Sequence, residues 1–381
     1  MRIWILCALA GCGGDVGVAT IEVTPAEATL IPLDTIRLAA VARDAGGQAV
    51  PGVPVGWTTS DAAIATVTAG EVTGLAPGEA TITASAEGVA GHVRITVRDA
   101  PAVRWGHALV YDAARARVLL FGGSTGMTFH GDTWVWDGTR WGRLPVTGPS
   151  PRDQHVMAYD GTRGRVVLFG GRLADGSKAA DTWEWDGVAW SERSSAGPPP
   201  REHHTAGFDV GRNRFVVHGG QSPTATLTDT WAWDGATWTE RATTVPAPRQ
   251  LPSRGTVYSA PRGTLLMTIG DLTAGMSELW EWDGSSWIAV ADGGIDADSP
   301  LPLAETGTPG EALALDEGAA RTWKWDGAAW TRVATTGPPP RFVSAMAYDA
   351  ARAEVVLFGG SIPDGYLGDT WVWDGTAWHE R

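Results

Sequence analysis

The chain has 381 residues, 43% hydrophobic and 19% charged, with a formal net charge of −14 at pH 7. That length supports two domains or one large one with real cores. The acidic balance excludes nucleic acid and anionic lipid as main partners, because phosphate recognition needs clustered cations. Glycine at 50 and proline at 24 predict many turns and short strands rather than long helices. Lys178 and Lys324 are the only lysines, so nearly all basic charge is arginine, the side chain suited to planar anion pairing.

Both cysteines, Cys7 and Cys12, fall at the N-terminus, so the rest of the chain has no disulfide, thiol nucleophile or thiolate metal site. Arg2 is a minimal basic region and residues 3–10 are apolar. Leu9-Ala10-Gly11-Cys12 then resembles a bacterial lipobox. The resemblance implies a lipoprotein signal peptide over 1–11, a lipid on Cys12 and a tether over 12–17. Gly13 follows the cysteine where an aspartate would imply inner-membrane retention, so the implied location is the outer membrane or cell surface. No other stretch approaches the length that spans a bilayer, so the lipid is the only membrane contact expected.

Residues 18–98 alternate in polarity and are rich in β-branched residues, as in "TIRLAAVA", "IATVTAG", "GEATITASA" and "HVRITV". Gly, Pro and Asp turns separate these runs, which predicts a small β-sandwich. The stretch from Trp57 to Val67, followed by Gly70, Val72 and "APGEATITA", resembles the bacterial Ig-like group 2 family. That family implies a spacer or adhesion module with Trp57 as core tryptophan. His92 is expected to face solvent. Residues 99–102 read as a linker.

Residues 103–381 are repetitive. "DTWVWDGTRW" at 132 returns at 181, 229, 278, 321 and 369 in near-copies. The first tryptophan falls at Trp134, Trp183, Trp231, Trp280, Trp323 and Trp371, so the steps are 49, 48, 49, 43 and 48. "RWGHALVYD" at 104 has echoes at 152, 201 and 341, and "VLLFGG" at 118 has echoes at 166, 215 and 355. Apolar strand, double glycine and paired aromatics at this period resemble the kelch family. The implied fold class is all-β: an Ig-like sandwich followed by a six-bladed kelch-type β-propeller. Each blade reads as strands a to d, with "HALVYD" as a, "VLLFGG" as b, "DTWVWD" as c and d starting at the last tryptophan. A two-residue Asp-Gly turn between c and d puts Trp134 opposite Trp141. The tryptophans are expected to pack blade against blade. Blade 1 opens with its own strand a and blade 6 ends on its own d, which predicts closure by face packing alone.

Antiparallel strands put the short a–b and c–d turns on one face and the b–c and d–a loops on the other. The second face carries variable loops at 124–131, 172–180, 221–228, 271–278 and 361–368, and variable loops on a rigid scaffold are the favoured binding place. Phe129, His130 and Tyr366 are candidate ligand residues there. Arg104, Arg152, Arg201 and Arg341 enter from the same face and suit an anion. The structural reading pairs them with Asp132, Asp181, Asp229 and Asp369. Blade 5 favours pairing, because it lacks the arginine and has Arg321 at the aspartate place. His107, His155 and His204 repeat by place and read as scaffold. Asp292, Asp296 and Asp298 form a weak calcium candidate without EF-hand spacing, and no other cofactor is implied.

The expected function is non-catalytic. The kelch propeller of a monomeric surface lipoprotein binds a glycan or protein through its b–c/d–a face, with the Ig-like domain as spacer. A sugar isomerase of the kelch type and a structural envelope component are the alternatives. The cysteine that copper-radical oxidases of this fold need is missing. The S-x-D-x-G-x-T-W box of sialic-acid hydrolases does not match "WDGxxW".

Overall fold

The computed structural model describes residues 17–30, 35–194, 196–241, 251–252, 255–271, 276–290, 295 and 301–381. Cys12 and the carboxylates Asp292, Asp296 and Asp298 lie outside the described residues. The described residues form strands and turns without a helix, and they divide into two units, Met1–Ala100 and Pro101–Arg381.

In the first unit, Gly78–Ala86 and Val89–Val97 form a hairpin that is flanked by Gly56–Thr59 and, in parallel, by Glu27–Leu30. A three-stranded sheet of Thr35–Arg37, Glu71–Gly74 and Ala65–Thr68 shares its core. The period-two pattern does this: Ala80, Ile82, Val93, Ile95 and Val97 point inward while their neighbours face water. Trp57 is half-buried against that core. Its ring lies over Gly70, where a Cβ would stand 3.3 Å from it. His92 is exposed on its strand.

The second unit is six antiparallel sheets in sequence order. Strands a to d of blade 1 are Ala108–Asp112, Arg117–Phe121, Thr133–Trp136 and Trp141–Leu144. Blade 2 runs from Val156–Asp160 to Trp190–Ser194 and blade 3 from Thr205–Asp209 to Trp238–Arg241. Blade 4 runs from Val257–Ser259 to Trp287–Ala289, with Leu251–Pro252 added at its edge. Blade 5 runs from Leu303–Glu305 to Trp330–Ala334 and blade 6 from Ala345–Asp349 to Trp378–Glu380.

The tryptophans occupy the seams. The second one of each motif is at most 5% exposed: Trp136, Trp185, Trp233, Trp282, Trp325 and Trp373. Each such side chain contributes about 4–6 kcal/mol gross at 25 cal/mol per Å², an upper bound given compact unfolded chains. The hairpin differs from the expected one. Trp136, not Trp134, stands opposite Trp141, with ring centroids 5.5 Å apart. The loop holds four residues, 137–140, because the Asp137 carboxylate accepts the N–H groups of Thr139 (2.8 Å) and Arg140 (2.9 Å) and caps a wider turn. Only Gly138, at φ +99, needs positive φ.

One apolar core fills each seam. The closing seam joins Leu109, Leu120 and Trp141 of blade 1 to Ala347, Val356 and Phe358 of blade 6. Among the described residues no strand crosses over. Closure is nevertheless not by faces alone, because Arg104 N–H donates to Leu367 O and Gly360 N–H to Arg104 O, both at 2.9 Å. Trp141 Nε1 also donates to Thr370 Oγ1 (2.9 Å), as Trp190 does to Thr133 and Trp238 to Thr182 in their seams.

The a–b turns add a second tie. Arg115 pairs with the buried Asp112 at 3.0 Å, then reaches blade 2, where it donates to the Asp186 carbonyl and lies over Gly187. Arg352 lies likewise over Gly138, and Arg212 over Gly284. The motif glycine therefore serves turn geometry and leaves room for a neighbour's guanidinium. Gly375 has the same φ, +97, but nothing near its Cβ position. Gly375→Ala should cost about 1–2 kcal/mol from backbone strain alone. Gly187→Ala should cost more, because Arg115 must also leave. Urea unfolding of both variants checks this, and equal costs would refute the packing role of Arg115.

Candidate ligand-binding site on the propeller axis

Four arginines meet the same surroundings. Arg104 donates Nε to Ala102 O (2.9 Å), Nη1 to Gly122 O (2.9 Å) and Asp132 Oδ1 (2.6 Å), and Nη2 to Asp132 Oδ2 (3.0 Å). Trp134 Nε1 completes the carboxylate at 2.7 Å. Arg152 with Asp181, Arg201 with Asp229 and Arg341 with Asp369 repeat the arrangement. These guanidinium side chains are 0–1% exposed. They are structural pairs and present nothing to a ligand, which corrects their placement among ligand-face candidates. In blade 5 Arg321 sits at the aspartate place and meets Asp316, the last residue of strand b, at 2.7 Å.

The other loop-face candidates are spoken for as well. Phe129 is half-buried beneath Arg172, whose guanidinium is 5.4 Å from the ring centroid and is held by Asp153 at 2.7 Å. His130 is tied through its backbone to Gly123 O (2.8 Å) and Arg152 N–H (3.1 Å), and burial, then Arg104, lowers its pKa. Tyr366 is half-buried against Gly126. None of the cavities described below is lined by any of the three.

The six strands a surround an axial lumen. Its loop-face end is narrow. Gly106, Gln154, His203 and Val343 have positive φ, and Gln154 N–H donates to Gly106 O (2.6 Å) while Gly106 N–H donates to Val343 O (3.3 Å). Glu317, in blade 5's double-glycine place, holds the Val343 and Ser344 N–H groups at 2.9 and 2.8 Å. Below this neck is a cavity of about 30 Å³, lined by His107, Gln154, His155, His203 and His204. That is room for one water. His107, His155 and His204 stand edge-on to Phe358, Phe121 and Phe169 of the preceding blades, with centroids 5.4–5.6 Å apart. Burial, then Arg152 and Arg201 respectively, pushes the His155 and His204 pKa values well below the usual range. They remain neutral packing groups.

Leu109, Met157, Leu303 and Met346 line both this cavity and a larger one of about 350 Å³ further along the axis. The larger cavity opens among the a–b turns, on the face opposite the one favoured by loop length. Tyr111, Tyr159, Phe208, Tyr258 and Tyr348 ring it, with Glu305 from blade 5. Each aromatic is the residue before the last of its strand a. Tyr159 Oη accepts the Ala114 N–H of the adjoining turn at 3.0 Å, leaving its own proton to donate. Burial, then Asp349, raises the Tyr111 pKa, and burial, then Glu305, raises that of Tyr348. Glu305 reaches the lumen's water yet is walled in by protein, and this desolvation raises its pKa above 4.5. It is the one carboxylate among the lining residues. The sequence signal for this ring was an aromatic at the same place in five repeats, read above only as a strand landmark. Glu305 had no repeat signal, because blade 5 lacks the aromatic.

Burial by itself would raise the Asp132 pKa, but the Arg104 hydrogen bonds and charge outweigh it and hold the value at about 2. The carboxylate therefore adds stability above its unfolded value of 3.8, and this is lost as pH falls through about 2. The contribution is about 2 kcal/mol. Arg104→Gln should cost about 3–5 kcal/mol, by leaving that charge buried without its partner. Its acid-unfolding midpoint, followed by tryptophan fluorescence, should move to higher pH. An unchanged midpoint would contradict the assignment.

Residues 17–97 match the family model of the bacterial Ig-like domain (group 2), and residues 136–288 match the KLHDC2/KLHL20/DRC7 Kelch-repeats domain. No curated protein matches the chain. Among solved structures, YjhT is similar at 14% identity over 74% of this chain and 98% of its own, with a TM-score of 0.53. The SapL1 lectin in complex with alpha methyl fucoside is similar at 16% identity over 73% of this chain and 95% of its own, with a TM-score of 0.50. At these identities the likeness shows a common fold.

Proposed function

Because this chain joins a bacterial Ig-like domain of group 2 to kelch repeats, we propose that it is a non-catalytic surface protein whose propeller binds a glycan at the axial funnel. One observation carries the reading: a cavity of about 350 Å³ with aromatic walls, tyrosine hydroxyls and a lone carboxylate. Aromatic rings take the C–H faces of a sugar, and a carboxylate accepts from paired sugar hydroxyls. A lectin complex among the structural neighbours supports this ligand class. Glycoside hydrolysis uses two carboxylates, and the lining supplies one, which favours binding over hydrolysis. The Ig-like unit acts as the spacer.

Glu305→Gln separates binding from stability. Desolvation disfavours the charged Glu305, so its ionisation destabilises the fold above its ordinary value of 4.5. The variant should therefore unfold at a higher temperature at pH 7, an advantage that vanishes at low pH. It should also bind its glycan roughly 10–100-fold more weakly, the loss expected for a hydrogen bond to a charged group. Wild-type affinity should fall as pH drops through the raised Glu305 pKa. Calorimetry against a glycan panel tests this, and unaltered affinity in the variant would remove Glu305 from the site.

We further propose lipidation at Cys12, which the lipobox resemblance supports. Expressed in a two-membrane bacterium, the protein should incorporate an alkynyl fatty acid and fractionate with the outer membrane. Cys12→Ala should abolish the label. Labelling that survives the substitution would refute the anchor.

A further inference from the structure

The repeats provide an internal control for a pocket between blades 3 and 4. In blade 2, Glu184 lies on the middle of strand c (Thr182–Trp185) and is 2% exposed. Three donors converge on its carboxylate. Arg163 Nη1 reaches Oε1 at 2.6 Å, Arg193 Nε reaches Oε2 at 3.0 Å, and Trp233 Nε1 of the next blade reaches Oε1 at 3.3 Å. In blade 4, Glu281 holds the same place and takes Arg262 Nη1 at 2.6 Å.

Blade 3 keeps the donors and lacks the acceptor. The strand register puts Ala232 opposite Val216, as it puts Glu184 opposite Val167. Arg212 stands three residues after Asp209, as Arg163 does after Asp160. Arg241 follows Trp238 by three, as Arg193 follows Trp190. Trp282 is the next blade's counterpart of Trp233. Arg212, Arg241 and Trp282 all line a pocket of about 240 Å³ above Ala232, with Arg214 on its rim. Arg241 makes no ion pair among the described residues, and Arg214 donates to the Asn213 carbonyl at 2.8 Å. The one carboxylate in the lining, Asp209, is buried beside Arg212 at 3.1 Å. The floor is apolar: Val216, Ala232 and Trp282 are at most 3% exposed. The seam is correspondingly thin, since Val216 is blade 3's member of its core.

We propose that this pocket binds the carboxylate of a small organic acid, in the place that Glu184 fills in blade 2. Guanidinium groups match a carboxylate in geometry and charge, and the closed apolar floor of Val216, Ala232 and Trp282 supplies no competing acceptor. The site is separate from the axial funnel and does not depend on the reading given to it.

The test titrates the whole chain with sodium glucuronate at low ionic strength, following tryptophan fluorescence, since Trp282 lines the pocket. Glucose and inorganic phosphate serve as the neutral and mineral controls. Saturable binding of glucuronate is expected, at least 10-fold tighter than that of phosphate and without response to glucose. Ala232→Glu should supply the carboxylate from within, raise the unfolding temperature and weaken glucuronate at least 10-fold. Arg241→Gln should weaken it similarly, and it keeps the test decisive if the first variant folds poorly. No saturable binding, preference for phosphate, or unchanged affinity in the Arg241 variant would overturn the proposal.

Discussion

A buried guanidinium fork organises each regular blade. Arg104, Arg152, Arg201 and Arg341 have almost no contact with water, so their charge is tolerable only if each guanidinium nitrogen has an acceptor and a carboxylate is close. The surroundings meet that demand by bringing three segments to one point. The d–a loop gives a carbonyl two residues before the arginine, the end of strand b gives a glycine carbonyl, and the start of strand c gives the aspartate. The double glycine follows from this. Its first member turns its carbonyl to the fork, and its second donates to the next blade's arginine carbonyl, as Gly123 does to Arg152 at 2.8 Å. The same contact from Gly360 to Arg104 joins the last blade to the first.

The lumen of the propeller is uneven along its axis. The residues that follow the forks form the positive-φ ring at Gly106, Gln154, His203 and Val343, and the lumen is narrow there. At the opposite end the turn arginines, such as Arg115 and Arg352, tie each blade to its neighbour over a glycine. The axis widens toward the tyrosine ring, from a cavity of about 30 Å³ to one of about 350 Å³. The same logic explains the pocket at Ala232. Where a repeat keeps its arginines and drops the carboxylate, the vacated volume is lined by donors.

The number of blades was legible from the tryptophan decapeptides and the double glycines, which recur because every seam has the same packing problem; the backbone hydrogen bonds that add to face packing at the closing seam were not. The ion pairs were legible from Arg321, since the loss of the strand-a arginine in blade 5 tracked the replacement of the aspartate. The Asp-Gly turn was misjudged. The dipeptide marks a hairpin without fixing its length, and here the Asp137 side chain caps a four-residue loop. The axial cavity was not legible for a different reason. Loop length reports variability, whereas the lumen's width depends on how strands a splay, which no local pattern records. Glu305 was invisible because its strand, Leu303–Glu305, is short and lacks the tyrosine landmark.

The most direct test of this account is hydrogen–deuterium exchange on the propeller with and without the tightest glycan found in a panel. The account predicts protection in the strand-a ends and their turns, residues 108–113, 156–161 and 345–350. Protection confined to the loops 124–131, 172–180 and 361–368, or none with any glycan, would contradict it.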